Sequence, residues 1–285
     1  MIGLKKGMVE LKEHNELWIP LAQAMIKDLK MTCFPKAKIE HIGSTSIPTI
    51  KAKPIIDLLV GVDSFEEVKN NFDALMSTGF VYNKEVGNDA WMYFNKKNED
   101  GLSTFHLHIL LKQSQAFKNH IYFRNYLIKH KEIAKQYESL KIHLAKSFPN
   151  KRDEYTKKKE ALIKKIIRKA QVSHFLGKEV TITIDRPIGT AHPKHPEIIY
   201  PINYGFIANE IAPDDEELDV YLLDVTYPVN TYTGRIIAIV HRENDIEDKL
   251  VMASSNESYT VKDIKNAIYF QEQFYNSSIE LHSQD

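Results

Sequence analysis

The chain has 285 residues, of which 43% are hydrophobic and 27% charged, with a formal net charge of zero; this is the composition of an ordinary globular protein. No stretch approaches the roughly 20 apolar residues of a membrane-spanning helix, so we expect no membrane partner. The single cysteine, Cys33, excludes an internal disulfide and a multi-cysteine metal site. The length predicts about two domains, and the lack of disulfides favours a cytoplasmic location.

The charges are divided unevenly along the chain. Residues 1–170 hold 30 Lys and Arg against 19 Asp and Glu, whereas residues 171–285 hold 8 against 19. We therefore place a boundary near residue 172 and predict two domains, 1–172 and 178–285. A basic domain suits phosphates or nucleic acid, and an acidic one suits hard cations, although charge can also vary between domains without functional meaning.

The N-terminal half predicts an α+β domain, with a small sheet followed by helices. A helix is expected over 9–30, with Pro20 bending it or setting its start. A second helix is expected from Ser64, as the N-cap of a capping box with Glu67, to Ser77. Strands are predicted at 38–42, 55–62, 80–83, 90–94 and 104–111, and helical structure at 116–170 with a break near Pro149.

A short motif between the first two strands can bind phosphate. Residues 43–46 read Gly-Ser-Thr-Ser, and they are followed by Lys53 and then by Asp57 in a buried apolar run. Glycine lets the backbone approach a phosphate, and adjacent hydroxyl and N–H groups can hold its oxygens. An aspartate on a strand nearby can hold Mg²⁺ against those oxygens. The residues expected to bind a nucleotide are Gly43, Ser44, Thr45, Lys53 and Asp57.

This layout is that of the nucleotidyltransferase superfamily, and residues 41–60 closely resemble the GrpB family of nucleotidyltransferase-like proteins. The resemblance covers about residues 8–170. It extends to His106-Leu107-His108 on a predicted strand and to Lys- and Tyr-rich helices from Tyr122 onward. It implies a nucleotidyltransferase-like fold with a nucleoside triphosphate as ligand.

Two departures leave transfer activity open. Nucleotidyltransferases usually carry a second acid two residues after the first, where this chain has Leu59, and a third on a later strand, where it has His106 and His108. One interpretation is nucleotide binding with transfer. The other is a retained fold in which the turn and Asp57 are structural and the two histidines pack or form hydrogen bonds.

The C-terminal half predicts a small, mainly β barrel. Strands are expected at 179–184, 220–225, 235–241 and 249–253, and prolines exclude long helices between 187 and 228. One terminal helix is expected over 262–276, entered at Thr260.

An acidic loop follows a Tyr-Gly pair in this half. Residues 214–219 read Asp-Asp-Glu-Glu-Leu-Asp, and a second acidic group follows at 245–248. Oxygen ligands at this density suit Mg²⁺, with Mn²⁺ as a substitute, although many acidic loops are simply solvated. The expected metal ligands are Asp214, Glu216, Asp219, Asp245 and Glu247.

The same segment resembles the soluble family I inorganic pyrophosphatases, which have an OB-type barrel. The resemblance spans about residues 178–276 and rests on Tyr-Pro at 200–201, Asn-Tyr-Gly at 203–205 and the acidic loop, in which Glu216 replaces the usual Asp. It implies an acid at Asp185 and metal-assisted hydrolysis of a phosphoanhydride. The residues that it assigns to catalysis are Glu216, Lys194, Tyr204 and Lys249.

Two phosphate contacts of that family are missing from this chain. The segment between Lys194 and Tyr200 is too short to carry the usual arginine, and no Tyr-Lys pair stands near the C-terminus. Arg186, Arg235 or Arg242 can substitute, and loss of catalysis stays open.

The sequence as a whole predicts Mg²⁺-dependent hydrolysis of pyrophosphate, or of a related phosphoanhydride, by the C-terminal domain. It would be coupled to a nucleotide-binding or nucleotidyl-transferring N-terminal domain. The alternative is a non-catalytic regulatory protein that binds nucleotide or polyphosphate. We expect no nucleic acid partner, and the sequence leaves homo-oligomer formation open.

Overall fold

The structure is a computed structural model that describes residues 2–193, 195–254 and 259–282. The chain divides into two compact units, Met1–Ile167 and Arg168–Asp285. Within the described residues, no helix combines the length and apolar character needed to cross a membrane.

The N-terminal unit contains one five-stranded mixed sheet. Its strands are β1 (Lys38–Ile42), β2 (Ile56–Val62), β3 (Phe80–Tyr82), β4 (Trp91–Lys97) and β5 (Ser103–Leu111). Their order is β1-β2-β5-β4-β3, and only β2 and β5 are parallel neighbours. The pairing sets Asp57 beside His106 and Leu59 beside His108.

Both faces of this sheet are covered, which explains the continuous apolar run of β2. The helices that precede the second unit or lead into it are α1 (Trp18–Thr32), α2 (Phe65–Asn70), α3 (Phe72–Ser77), α4 (Gln115–Lys129), α5 (Lys131–Ser147) and α6 (Arg152–Phe175). Leu58 and Val60 share a core cluster with Leu29 of α1. Leu59, on the opposite face, packs with Phe117 of α4. The predicted α+β architecture of this half is confirmed.

Three local predictions in this unit are wrong. The first helix begins at Trp18 rather than at residue 9, and Pro20 lies in its first turn, where a missing N–H costs nothing. Ser64 is extended but its side chain caps nothing, so the capping box with Glu67 is absent. The segment expected as one helix to Ser77 is interrupted at Asn71, and the long helical segment breaks at His130 as well as near Pro149.

The C-terminal unit is a closed barrel of five strands, which confirms the predicted barrel. The unit has six strands, the first five of which form the barrel: β6 (Glu179–Arg186), β7 (Asn203–Ile211), β8 (Glu217–Leu222), β9 (Thr231–Arg242), β10 (Lys249–Ala253) and β11 (Ser277–Leu281). The order β10-β8-β7-β6-β9 is closed by pairing of β10 with β9, and β11 is added outside β9. Alternate side chains therefore point to a common interior.

The terminal helix of this unit is shorter than expected. Thr260 forms a capping box with Asp263, so the helix starts where the sequence predicts. However, α7 (Val261–Ala267) ends early, and α8 (Tyr269–Glu272) is a separate turn. The prediction of one helix over 262–276 is wrong, and β7 and β11 were not expected from the sequence.

Candidate functional site

A cavity of about 120 Å³ opens in the N-terminal unit, between the turn after β1, the start of β2 and the helices α5 and α6. All five residues expected to bind a nucleotide line it. The complete lining is Gly43, Ser44, Thr45, Ala52, Lys53, Ile55, Asp57, His106, Tyr137, Lys141, Tyr155 and Lys159.

The turn after β1 requires glycine at its first position. Gly43 has φ +70°, and a Cβ atom there would lie 2.4 Å from Oδ2 of Asp57. The next three residues, 44–46, form a single 3₁₀ turn. Thr45 is fixed within it by a hydrogen bond of 2.9 Å between its hydroxyl and Nε2 of His41. The backbone therefore passes close to Asp57 and presents Ser44 to the cavity.

Asp57 is held by the histidines of the neighbouring strand. Nδ1 of His106 lies 2.9 Å from Oδ1 of Asp57, and Nε2 of His108 lies 3.7 Å from the same oxygen. Burial raises the pKa of Asp57, but its interactions with His106 and His108 outweigh that effect and hold the pKa well below its usual range. Asp57 is thus a charged group whose Oδ1 already has partners.

Three lysines face the same cavity. Burial, with the nearby Arg152 and Lys159, lowers the pKa of Lys53 to about 7. Burial and Lys159 lower the pKa of Lys141 to about 7. Burial lowers the pKa of Lys159 to about 8, against the attraction of Asp57. Each lysine loses solvation, and the positive groups repel one another, so the cavity is short of negative charge.

The sequence analysis identified Lys53 but missed Lys141 and Lys159. The missed lysines share a pattern, because each follows a tyrosine by four residues, one pair at 137 and 141 and the other at 155 and 159. Their Nζ atoms lie 4.9 Å and 4.5 Å from the ring centroids of those tyrosines. On a helix this spacing places tyrosine and lysine on one face. Two Tyr-x-x-x-Lys repeats were therefore the available signal.

The C-terminal unit has a second charged cluster, centred on the buried Lys249. Its ammonium contacts Asp219 and lies 2.7 Å from Oε2 of Glu247, and these carboxylates raise the pKa of Lys249 against the effect of burial. Burial raises the pKa of Tyr204 well above its usual value, and the nearby Asp219 raises it further. The structure thus brings Tyr204, Asp219, Glu247 and Lys249 together.

More acids lie near this cluster. Burial raises the pKa of Glu247 to about 7, with further contributions from Asp219 and Asp214. Burial also raises the pKa of Asp185, and the negative charges of Asp219 and Glu216 raise it further. Asp214 and Glu216 are exposed on the turn before β8, and Lys194 lies outside the described residues.

Asp245 does not join the cluster, although the sequence grouped it with the metal ligands. Its carboxylate is 2.8 Å from the guanidinium of Arg242, which is itself bonded to Glu272. Within the described ranges, no three His, Cys, Asp or Glu side chains stand close enough together to hold a metal ion.

Comparisons with known proteins concern mainly the N-terminal unit. The family described as GrpB protein matches residues 8–169. The glutamate-rich protein GrpB of Alkalihalophilus pseudofirmus is 37% identical over 171 residues, which are 59% of this chain and 98% of that protein. The crystal structure of the conserved protein GrpB from Enterococcus faecalis covers 56% of this chain and 96% of its own, with 36% identity and a TM-score of 0.52.

A second group of similar structures consists of inorganic pyrophosphatases. The inorganic pyrophosphatase of Ehrlichia chaffeensis matches 38% of this chain and 88% of its own, at 15% identity and a TM-score of 0.30.

Proposed function

Because the chain belongs to the GrpB family, we propose that its N-terminal unit binds a ligand through phosphate groups, and that this ligand is a nucleoside triphosphate. The observation that carries the proposal is the set of three lysines, Lys53, Lys141 and Lys159, around one cavity. Burial is the largest cause of their lowered pKa values, and repulsion from neighbouring positive groups adds to it, so an anion among the lysines would favour their charged forms.

A polyphosphate supplies what this cavity lacks. Its charge offsets the repulsion between the lysines, and its oxygens accept hydrogen bonds from ammonium groups and from the hydroxyls of Ser44 and Thr45. The only carboxylate among the lining residues is Asp57, and His106 holds it at 2.9 Å. The cavity therefore favours an anion over a cation.

Metal-dependent nucleotidyl transfer fits these residues less well. Two metal ions need two or three carboxylates at the phosphates, and the position two residues after Asp57 is Leu59, which is buried against Phe117. Glu40 lies before the turn but is bonded to Arg124 at 2.8 Å. We therefore propose binding without a two-metal centre and derive no transfer step through one.

Titration calorimetry on the full chain tests the proposal, with adenosine triphosphate and inorganic tripolyphosphate as ligands. We expect saturable binding of both, and a loss of affinity of about tenfold or more in Lys159→Met, because a charged hydrogen bond contributes about 1.5–3 kcal/mol. Lys158→Met is the matched control, since Lys158 is an exposed neighbour on α6. Equal affinity of the two variants would show that the ligand binds outside this cavity.

A second function is proposed for the C-terminal unit: Mg²⁺-dependent hydrolysis of pyrophosphate or a related phosphoanhydride on an OB-type barrel. The observation that favours it is an excess of acid around Lys249. Five carboxylates, Asp185, Asp214, Glu216, Asp219 and Glu247, act with Arg186 and Lys249. The nearby Arg242 is already paired with Glu272 and Asp245. Such an excess attracts a divalent cation, and an all-oxygen donor set suits Mg²⁺.

The residues of this unit have distinct tasks in that proposal. Asp214 and Glu216 would have to move from the exposed turn toward Asp219 to hold the ion, because no three acids of the described ranges stand close enough together for it. The ion, when bound, would activate water and neutralise phosphate oxygens. Lys249 and Tyr204 would orient the phosphates. The Lys249 ammonium lies 5.7 Å from the centroid of the Tyr204 ring, so the two groups can contact the same ligand. Lys194 would add a further positive charge.

Phosphate release from pyrophosphate, with and without Mg²⁺, tests this second function. Asp219→Asn should lower the rate by orders of magnitude, whereas Glu243→Gln, at an exposed position after β9, should not. If neither Mg²⁺ nor Mn²⁺ supports release above background while the N-terminal unit binds triphosphate, the alternative of a non-catalytic, nucleotide-binding regulatory protein is preferred.

A further inference from the structure

Ser44 occupies a position in the N-terminal unit that suits a nucleophile. It follows β1 directly after Gly43, whose φ of +70° turns the chain sharply, and it begins the 3₁₀ turn at 44–46. A serine on a tight turn between a strand and a helical segment projects its hydroxyl away from the backbone. This hydroxyl lines the cavity that holds the three lysines.

A lysine stands next to this hydroxyl in a position to take its proton. Nζ of Lys141 lies 2.9 Å from Oγ of Ser44 and also contacts the backbone carbonyl of Lys51. The residue is only 1% exposed. A neutral amine has N–H groups to donate and one lone pair, so Lys141 can donate to the Lys51 carbonyl and accept the hydrogen of Ser44.

A third group completes the arrangement around the serine. The Tyr137 hydroxyl forms a hydrogen bond with Ser44, and Tyr137 itself is buried. Tyr137 and Lys141 are one turn apart on α5, so a single helix orients both partners of Ser44.

We propose that Ser44 and Lys141 form a serine–lysine dyad in which Ser44 is a nucleophile toward phosphorus, so that the cavity transfers a phosphorus-containing group to its own serine. The proposal deepens the phosphate-binding function and rests on it. The cavity favours a phosphorus electrophile over an acyl group, because the remaining lysines, Lys53 and Lys159, would contact a polyanion.

The step involves one bond formed and one broken. Oγ of Ser44 attacks a phosphorus atom of the bound phosphoanhydride while its proton passes to Nζ of Lys141. The P–O bond to the leaving phosphate breaks, and the electron pair departs on that phosphate. Attack on the α-phosphorus leaves a nucleotidyl-serine and pyrophosphate, and attack on the γ-phosphorus leaves a phosphoserine and a nucleoside diphosphate.

The three lysines have two different roles in this step. Lys53 and Lys159 supply positive charge to the ligand, and Lys141 supplies the base. The groups that set the protonation of Lys141 are Lys159 of α6, Lys53 before β2, and Glu138 and Lys135 of its own helix, together with burial. The net effect is a pKa of about 7, so the free base is present near neutral pH.

The nucleophile is tested with diisopropyl fluorophosphate, a small neutral reagent that needs no anion site. Reaction forms the Oγ–P bond and releases fluoride, and mass spectrometry of peptides locates the adduct. We expect labelling of Ser44 in the full chain, with a rate that increases as the pH rises through about 7. Ser44→Ala should abolish the adduct, whereas Ser139→Ala, an exposed serine on α5, should keep it.

Two further variants separate the base from a structural role. Lys141→Arg keeps the positive charge but has no accessible neutral form, so it should label about a hundredfold more slowly or worse. Lys141→Met should also lose labelling. Tryptophan fluorescence, which reports Trp18 and Trp91 of the same unit, verifies that each variant is folded.

The natural electrophile is tested with adenosine triphosphate carrying ³²P at the α or at the γ position. Label retained on Ser44 after denaturation from one of these positions identifies the group transferred. If Ser44 reacts with neither the fluorophosphate nor the triphosphate while calorimetry shows triphosphate bound, the dyad is wrong and the phosphate-binding function stands. If fluorophosphate labels Ser44 but no triphosphate binds, the proposed function fails, and with it the transfer from a phosphoanhydride.

Discussion

Nδ1 of His106 lies 2.9 Å from Oδ1 of Asp57, across two neighbouring parallel strands. The strand register alone places these residues side by side, and Nε2 of His106 lies 3.4 Å from the guanidinium of Arg152 on its other side. Asp57 therefore faces the two histidines of β5, and Arg152 of α6 contacts the far side of His106. This relationship makes Asp57 a structural partner of His106 within the cavity that we propose binds an anion.

Replacing Asp57 tests whether the cavity is an anion site or a metal site. Asp57→Asn removes the one carboxylate that lines the cavity, so a bound polyphosphate meets less repulsion. We expect triphosphate affinity to stay equal or rise several-fold, without a requirement for Mg²⁺. Asp63→Asn, an exposed change just after β2, is the control. Abolished binding in Asp57→Asn, or binding of the wild type only with Mg²⁺, would instead assign a metal to Asp57.

The lysines should make the N-terminal unit more stable as the pH rises. Their pKa values in the folded protein are lowered to about 7 for Lys53 and Lys141 and about 8 for Lys159, whereas unfolded lysines titrate near 10.4. Between about pH 7 and pH 9.5 the unfolded chain therefore binds more protons, and the free energy of unfolding rises with pH.

Chemical denaturation followed by tryptophan fluorescence measures this effect, because both tryptophans, Trp18 and Trp91, lie in the N-terminal unit. We expect an increase of several kcal/mol over that range, because each lysine that is neutral only in the folded state contributes about 1.4 kcal/mol per pH unit, and saturating tripolyphosphate should reduce this increase. A free energy of unfolding that falls between pH 7 and pH 9.5 would show that the lysines are not the groups in control.

Gly43→Ala should lower the free energy of unfolding by more than the positive φ of this residue alone explains. An alanine with positive φ costs about 1–2 kcal/mol, and here its Cβ would also lie 2.4 Å from Oδ2 of Asp57. Gly7→Ala is the matched control, because Gly7 has φ +85° with no atom within 4 Å of the added Cβ. Denaturation should show a larger loss for Gly43→Ala, and equal losses would remove the close approach to Asp57 from the account.

In the C-terminal unit, Lys249→Met should destabilise the barrel. It leaves Asp219 and Glu247 buried or half-buried without their shared cation, and breaking a buried ion pair costs about 3–5 kcal/mol. Amide hydrogen exchange of β10 measures the loss in the full chain, since this unit has no tryptophan. Recovery of protection in Lys249→Met with Asp219→Asn and Glu247→Gln would support the electrostatic cause, whereas unchanged exchange in the single variant would contradict it.

The sequence predicted those parts of the fold and site that depend on local patterns. The bounds of β1 and the buried character of β2 followed from apolar periodicity, and Gly43 and Asp57 followed from a motif. The lysines of α5 and α6 did not, because their meeting depends on how helices nearly a hundred residues downstream of Ser44 pack. The same limit applies to Asp245, whose charge is neutralised by Arg242, a partner that acidity alone does not reveal.

The central claim, that the lysine cavity binds phosphate, is tested most directly by calorimetric titration of tripolyphosphate at pH 7.5 in two buffers of different ionisation enthalpy. With a pKa of about 7, Lys53 is largely neutral at this pH, and Lys159, at about 8, is partly so; an anion between them raises both pKa values. The account predicts saturable binding with net proton uptake, and a reduced uptake in Lys53→Met with Lys159→Met, in which Lys141 still lines the cavity. Absence of binding, or binding without proton uptake, would contradict it.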